Sequence, residues 1–158
     1  MDLTVNYEPL FHVVLHNPEI PQNTGAIGRT CVALQAKLWL VRPLGFRVDD
    51  RTLKRAGLDY WQHLEWEVAD HWEDLKNRLP GSRYWFFSRF ATKKFRETTF
   101  EQGDALVFGS ETSGLPLSLK QPHPERLLRI PTSEHVRSLN LASSVAVAGY
   151  ELQRQFQL

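Results

Sequence analysis

Apolar residues in this chain come in short blocks separated by polar loops, and the spacing within each block predicts an element. Phe11-His12-Val13-Val14-Leu15-His16, Lys37 to Val41 and Tyr84 to Ser88 are β-prone runs of strand length. Such runs, bounded by turn residues, read as buried strands. Ala105-Leu106-Val107-Phe108 and Leu127-Leu128-Arg129-Ile130 are two more, the second ending at Pro131. Leu64 to Val68 alternates like a strand with one buried face, inside a stretch, Leu58 to Ala69, of otherwise ambiguous period. Helical stretches fall between them: about Thr24 to Leu34, with Asn23 placed to cap it, then Asp50 to Ala56 before Gly57, then His71 to Leu79 before Pro80-Gly81. A long helix begins near Asn140. Asn17 to Gln22 and the basic stretch Arg89 to Gly103 read as loops, and Pro116 to Glu125 has room for one helical turn. Met1 to Leu10 reads as a leader, with Pro9 interrupting any strand. Strands alternating with helices predict an α/β fold, with a mainly parallel sheet flanked by helices. No repeat or linker divides the chain, so residues 1–158 are expected to form a single domain.

The last third places the site. Its two apolar runs deliver two polar loops, Gly109 to Pro116 and Thr132 to Ser138. In α/β sheets, ligands bind beyond the carboxyl ends of the strands. The helix after Asn140 carries Ala142, Ala146 and Gly149 at i, i+4 and i+7. That flat stripe permits close approach of another helix, inside the subunit or across a dimer, and the dimer surface is the expectation taken from it.

Composition narrows the class. Hydrophobic residues make up 42% and charged residues 23%, ordinary values for a soluble globular chain. No apolar run approaches the roughly 20 residues needed to span a bilayer, and the N-terminus lacks the pattern of a signal peptide. A single cysteine, Cys31, excludes an internal disulfide framework and fits a cytoplasmic protein. Net charge is only +1, yet Arg83 to Arg96 holds Arg83, Arg89, Lys93, Lys94 and Arg96 without an acid, interleaved with aromatics. Such a stretch could meet phosphates and stack on unpaired bases, or it could be a buried strand, Tyr84 to Phe87, with flanking charges.

Local chemistry leaves alternatives open. Two glycines in the helix after Asn23, Gly25 and Gly28, imply close packing or a ligand, because each costs about 1 kcal/mol relative to alanine in a helix. Arg29, four residues after Gly25, would project a cation beside that opening. Gly109 to Pro116 has neither the spacing nor the lysine of a phosphate-binding loop, and it is no dinucleotide fingerprint or nucleophile elbow. Glu111 within it suits a cationic ligand or a role in fixing the loop; a plain tight turn is the alternative. Ser138 or Asn140 can cap the last helix or face a ligand. His12 and His16 share a strand face with no companion acid or cysteine, so they read as core or edge histidines. No metal site is expected.

Three stretches together resemble one family. Asn23, Gly25 and Arg29 resemble its first motif. Leu106 through Pro116 resembles the second, and Ile130-Pro131 followed by Ser138-Leu139-Asn140-Leu141-Ala142 the third. The family is the SPOUT class of RNA methyltransferases, in its 2'-O-ribose branch. The short length and Arg55-Ala56-Gly57-Leu58-Asp59-Tyr60 resemble its minimal members, which act on the wobble nucleotide, cytidine or uridine, of the tRNA anticodon stem-loop. The resemblance implies a deep trefoil knot over about residues 104–158, S-adenosylmethionine (AdoMet) as methyl donor, and an obligate homodimer that shares each RNA site. It implies AdoMet contacts from Phe87, Gly109, Glu111, Gly114, Ile130 and Ser138, with Glu111 and Asn140 ordering the loops. Asn23, Arg29 and Arg55 are then expected to meet RNA. Arg29, Ser138 and Asn140 are expected at the reacting ribose, Arg29 stabilising the developing alkoxide because its pKa, above about 12, makes it a poor base. A catalytically inactive RNA-binding module, a nucleotide-phosphate enzyme and a methyltransferase for another RNA position are the competing readings.

Overall fold

In the computed structural model, which describes residues 8–49, 51–56 and 60–157, the apolar runs do become strands. β1 (Phe11–His16), β2 (Ala36–Val41), β3 (Trp66–Ala69), β4 (Tyr84–Phe87), β5 (Ala105–Phe108) and β6 (Leu127–Leu128) form one six-stranded sheet in the order β3-β2-β1-β5-β4-β6. Every pairing is parallel. The helices are α1 (Pro21–Leu34), α2 (Arg51–Ala56), α3 (Trp72–Arg78), α4 (Leu117–Lys120) and α5 (Leu141–Phe156).

The strand period sorts the core into two layers. Phe11, Val13 and Leu15 of β1 pack with Ile27, Cys31 and Leu34 of α1 and with Val145, Ala148 and Leu152 of α5. Val14, one step out of phase, joins Trp39, Val41, Leu75, Leu79 and Leu119 on the other face. A sheet covered on both faces needs strands apolar throughout, which is why β1 and β5 read as continuous runs. His12 belongs to this interior: Trp39 Nε1 donates to its Nδ1 at 3.0 Å. Burial, reinforced by Lys37, lowers its pKa to about 4 and keeps it neutral. His16 is also held below its usual value by burial.

Several boundaries differ from expectation. α1 starts at Pro21, with Ile20 as its cap and no side-chain capping bond. Asn23 therefore lies in the first turn and does not cap; proline fits a first helical position because its missing N–H has no partner there. Pro21 and Gln22, expected in a loop, are helical. The short helix α2 is described over Arg51–Ala56, and both its expected start at Asp50 and the Gly57 stop lie outside the described residues. α3 begins at Trp72, capped by His71, whose Nδ1 accepts from Asp74 N at 3.1 Å. β4 ends at Phe87, and β6 is confined to Leu127–Leu128, with Arg129 contributing an isolated bridge to Lys94. The predicted turn after Pro116 is α4.

The flat stripe on α5 is corrected at Gly149, which faces inward. A Cβ there would lie 2.6 Å from Leu34 Cδ1 and 3.5 Å from Phe11 Cζ. The close approach is therefore α5 on α1 within the subunit. The outward face of α5 shows Val147 and Tyr150 instead. Gly28 is also a packing glycine, since a Cβ would sit 3.1 Å from Leu64 Cδ2, and Gly25 is buried.

Candidate functional site

A cleft of about 540 Å³ opens at the carboxyl ends of β4, β5 and β6. Phe87 and Ser88 enter it from the end of β4, Gly109 to Leu115 from the end of β5, and Ile130 from beyond β6. Arg137 to Leu141 close it at the start of α5, and Asn23 and Ile20 at the start of α1. The sheet order brings β5 against β1 while β2 and β3 run off the other way. The site thus flanks a topological switch point, where crevices form in open parallel sheets.

The β5 loop is built by close approach and by carboxylates. A Cβ on Gly109 would lie 2.0 Å from the Gly114 carbonyl carbon and 2.2 Å from Leu115 N, so only glycine lets the loop fold back across itself. Gly114 adopts φ +67°, a left-handed conformation that glycine takes without steric cost. Gly114 N donates to Ser110 O at 3.0 Å and Ser113 N to Ser110 Oγ at 3.2 Å. Glu111 then reaches the start of α1, accepting from Glu19 N at 3.1 Å and Ile20 N at 2.6 Å. A carboxylate there meets the free amides and the positive end of the helix dipole. Glu19 reciprocates, accepting from Thr112 Oγ1 at 2.5 Å and Thr112 N at 3.3 Å. Those bonds hold the Glu19 carboxyl below its usual pKa.

The second wall is polar and exposed. Thr132 Oγ1 donates to Val136 O at 2.7 Å, and residues 133–140 are exposed throughout. Asn140 ends this loop and caps α5, its Oδ1 accepting from Ala142 N at 2.9 Å. Its Nδ2 donates to Asn23 Oδ1 at 3.2 Å. Asn140 therefore serves as cap and cleft residue at once, and Asn23 ties the first turn of α1 to the third motif.

Phe87, Gly109, Glu111, Gly114, Ile130 and Ser138 all line the cleft, together with Asn23 and Asn140. Two expected RNA contacts do not. Arg29 is exposed on α1 with its guanidinium 4.4 Å above the Tyr60 ring, and Arg55 is exposed on α2. Ser88, Arg89, Phe90, Lys120 and Arg137 line the cleft without having been singled out as site residues. Arg89 and Phe90 lay inside the basic, aromatic stretch; Lys120 and Arg137 gave no periodic signal.

That stretch resolves mostly as core. Trp85, Phe86, Phe87 and Phe95 are buried. Arg83 is bound to Asp104 through Nε at 2.9 Å and Nη2 at 2.8 Å, which raises its pKa, and Trp85 Nε1 donates to the same carboxylate at 2.9 Å. Cys31 is buried, which pushes its thiol pKa far up and leaves it inert. Among the described residues no His, Cys, Asp and Glu side chains converge as a metal-binding group, and no helix is long and apolar enough to cross a membrane.

A glycine-built loop crossing, a capped loop opposite it and a cleft between them at the ends of parallel strands make this an α/β protein with a ligand-sized crevice at its switch point. The chain belongs to the SpoU rRNA methylase family, whose model matches residues 10–150. A Bacillus subtilis (strain 168) relative is 47% identical over 147 residues, 91% of this chain and 92% of its own. The tRNA (cytidine(34)-2'-O)-methyltransferase of Methylovorus glucosotrophus is 43% identical over 147 residues, 92% of this chain and 96% of its own. A solved structure described as structural insights into the 2-OH methylation of C/U34 on tRNA superposes with a TM-score of 0.87 at 45% identity, over 93% of this chain and 96% of the other. An AdoMet-bound rRNA methyltransferase from Sinorhizobium meliloti superposes with a TM-score of 0.80 at 26% identity, over 94% of this chain and 61% of the other.

Proposed function

We propose that this chain is an AdoMet-dependent tRNA methyltransferase that transfers a methyl group to the ribose 2'-hydroxyl of the anticodon wobble nucleotide, cytidine or uridine 34. The observation that carries the proposal is the cleft itself, in which the second and third motifs face each other across about 540 Å³ and Asn140 joins them to Asn23. Full-length similarity to relatives that carry this activity in their names supplies the substrate.

The residues fit the cofactor. Phe87, Leu115, Ile130, Leu139 and Leu141 offer apolar surface, and two loops offer peptide groups for a nucleoside. Glu111, the carboxylate in the β5 loop, already holds the Glu19 and Ile20 amides just before α1. AdoMet, when bound, supplies an electrophilic methyl group. The protein's share is to hold the ribose 2'-hydroxyl in line with that methyl, where orientation accounts for much of the rate, and to help it lose its proton. Ser138 and Asn140 stand at the wall where that hydroxyl would lie. Arg29 does not line its own chain's cleft, so in this proposal it acts in the cleft of a second copy, stabilising the developing alkoxide and gripping phosphate. The working unit is then a homodimer, each chain a single domain over residues 1–158 with a trefoil knot at about 104–158. It works in the cytoplasm on the tRNA anticodon stem-loop, with Arg55 on the RNA side.

Incubation with bulk tRNA and methyl-labelled AdoMet, followed by mass spectrometric mapping, should locate one ribose-methylated nucleotide at position 34. Label at another position, or none, overturns the assignment. Arg29→Ala should abolish transfer and leave AdoMet affinity nearly intact; retention of most of the turnover removes Arg29 from the reaction.

A further inference from the structure

Phe90 is the most exposed large apolar side chain among the described residues, at 72%. The aromatics around it, Trp85, Phe86, Phe87 and Phe95, are buried. Exposure of a phenylalanine forgoes roughly 1.5–3 kcal/mol of burial free energy. A position that merely needed a turn residue would be better filled by a polar one.

Three observations give this ring a direction. It lines the cleft, so its exposed surface borders the space where the methyl acceptor enters. Its place is fixed by a local turn: Ser88 Oγ accepts from Phe90 N at 3.2 Å and Ser88 O from Ala91 N at 3.2 Å, while Ser88 N donates to Leu128 O at 2.9 Å. Two cations stand over it, Arg89 Cζ at 4.6 Å and Lys120 Nζ at 5.4 Å from the ring centroid, and both also line the cleft. Arg137 adds a third cation to the rim. The acidic residue there, Glu111, is occupied by the amides at the start of α1.

An exposed aromatic face beside two cations is the chemistry of single-stranded nucleic acid binding: bases stack on the ring and phosphates draw the cations. An exposed cation–π contact is worth about 0.5–1 kcal/mol, so an arriving phosphate can pull a cation from the ring and free a face. From this geometry we infer that Phe90 is the platform on which the base of the acceptor nucleotide stacks, with Arg89 and Lys120 taking the adjacent phosphates. The platform sets the position of the base, and hence of the attached ribose, relative to the cleft. The inference rests on the RNA methyltransferase function proposed above and adds a substrate-positioning residue to it.

The test uses the full chain with S-adenosylhomocysteine and an anticodon stem-loop RNA carrying pyrrolocytidine at the acceptor position. Stacking should quench the fluorophore with wild-type protein and with Phe90→Trp, and leave it bright with Phe90→Ala at saturating protein. With unlabelled RNA and AdoMet, Phe90→Ala should raise KM for RNA roughly 5- to 150-fold, the range expected for one base–aromatic stack. Its affinity for AdoMet and its melting temperature should stay unchanged, and Phe90→Trp should restore the wild-type KM. Quenching only when the fluorophore sits at a neighbouring nucleotide overturns the assignment to the acceptor base. Loss of AdoMet affinity in Phe90→Ala overturns it too, because the ring would then cover the cofactor. Unchanged KM and quenching in Phe90→Ala remove the platform altogether. If wild-type protein quenches the fluorophore but methylates no RNA, the catalytic assignment fails while the platform stands.

Discussion

The two walls of the cleft are made in opposite ways. The β5 loop, Gly109 to Pro116, is pinned: its glycine lets the chain cross itself, Leu115 is buried, and the Glu111–Glu19–Thr112 exchange ties it to the start of α1. The loop before α5 is open. Residues 133–140 are all exposed, and the side-chain hydrogen bonds of this stretch are the turn closed by Thr132 and the two bonds of Asn140. One wall is thus tied down by its own bonds, and the other is held by few. A preorganised wall lowers the cost of binding, and an open one lets a bulky donor and an RNA enter the same cleft.

Four measurements test this contrast. The largest effect belongs to Gly109→Ala, which places a methyl about where the Gly114 carbonyl carbon lies. The loop cannot keep its path, and AdoMet binding by calorimetry should vanish; retained affinity would show that the crossing is dispensable. Next, Glu111→Gln removes charge-assisted bonds to the Glu19 and Ile20 amides just before α1, worth about 1.5–3 kcal/mol in all. Its denaturation midpoint should fall accordingly, whereas Ser138→Ala on the open wall should leave stability within about 0.5 kcal/mol and lower turnover. Third, hydrogen exchange should show the amides of 109–116 protected from the start and those of 132–140 gaining protection on AdoMet addition. Equal protection in both loops before addition would dissolve the distinction.

The smallest effect is a pH dependence of the pinned wall. Glu19 is held below its ordinary pKa by Thr112 and Ser110. A depressed carboxylate stabilises the fold above its unfolded pKa, near 4.5, and the contribution is lost as pH falls through the lower folded value. His12 acts in a higher window. Its folded pKa of about 4 lies below the unfolded 6.5, so the unfolded chain binds the extra proton between them and stability declines from pH 6.5 downward. Comparing wild type with Glu19→Gln at each pH cancels the His12 contribution. The gap between their denaturation midpoints should be constant above pH 5 and shrink below about 4.5; a gap that does not change removes Glu19 from the clasp.

Period and turn chemistry made the fold legible. β1, β5 and α3 stood in the sequence because each is a short run with one unambiguous period and a clear stop. The boundaries that moved depended on tertiary partners. Asn23 looks like a cap by residue type, but the cap position falls at Ile20 because Glu111, ninety-one residues away, satisfies the amides there. The inward turn of Gly149 depends on Leu34 and Phe11, and no local pattern on α5 distinguishes a stripe that meets α1 from one that meets a second copy. Of the site, the glycines and Asn140 were legible as chemistry seeking a loop and a cap, and their convergence came from resemblance. Phe90, Lys120 and Arg137 became site residues only once the sheet order set their loops side by side.

That sheet order also dictates when the molecule can fold. β5 lies between β1 and β4, so the strand made from residues 105–108 must insert between β1, made far earlier in the chain, and β4, made shortly before it. β4 has only β5 and β6 as neighbours and finds no pairing until they emerge. During synthesis β1 therefore carries a bare, apolar edge after β2 and β3 are complete, and such an edge recruits strands from other chains. Contacts this distant in sequence close slowly. A chain stopped before Ala105 would leave that edge of β1 uncovered and β4 without a neighbour.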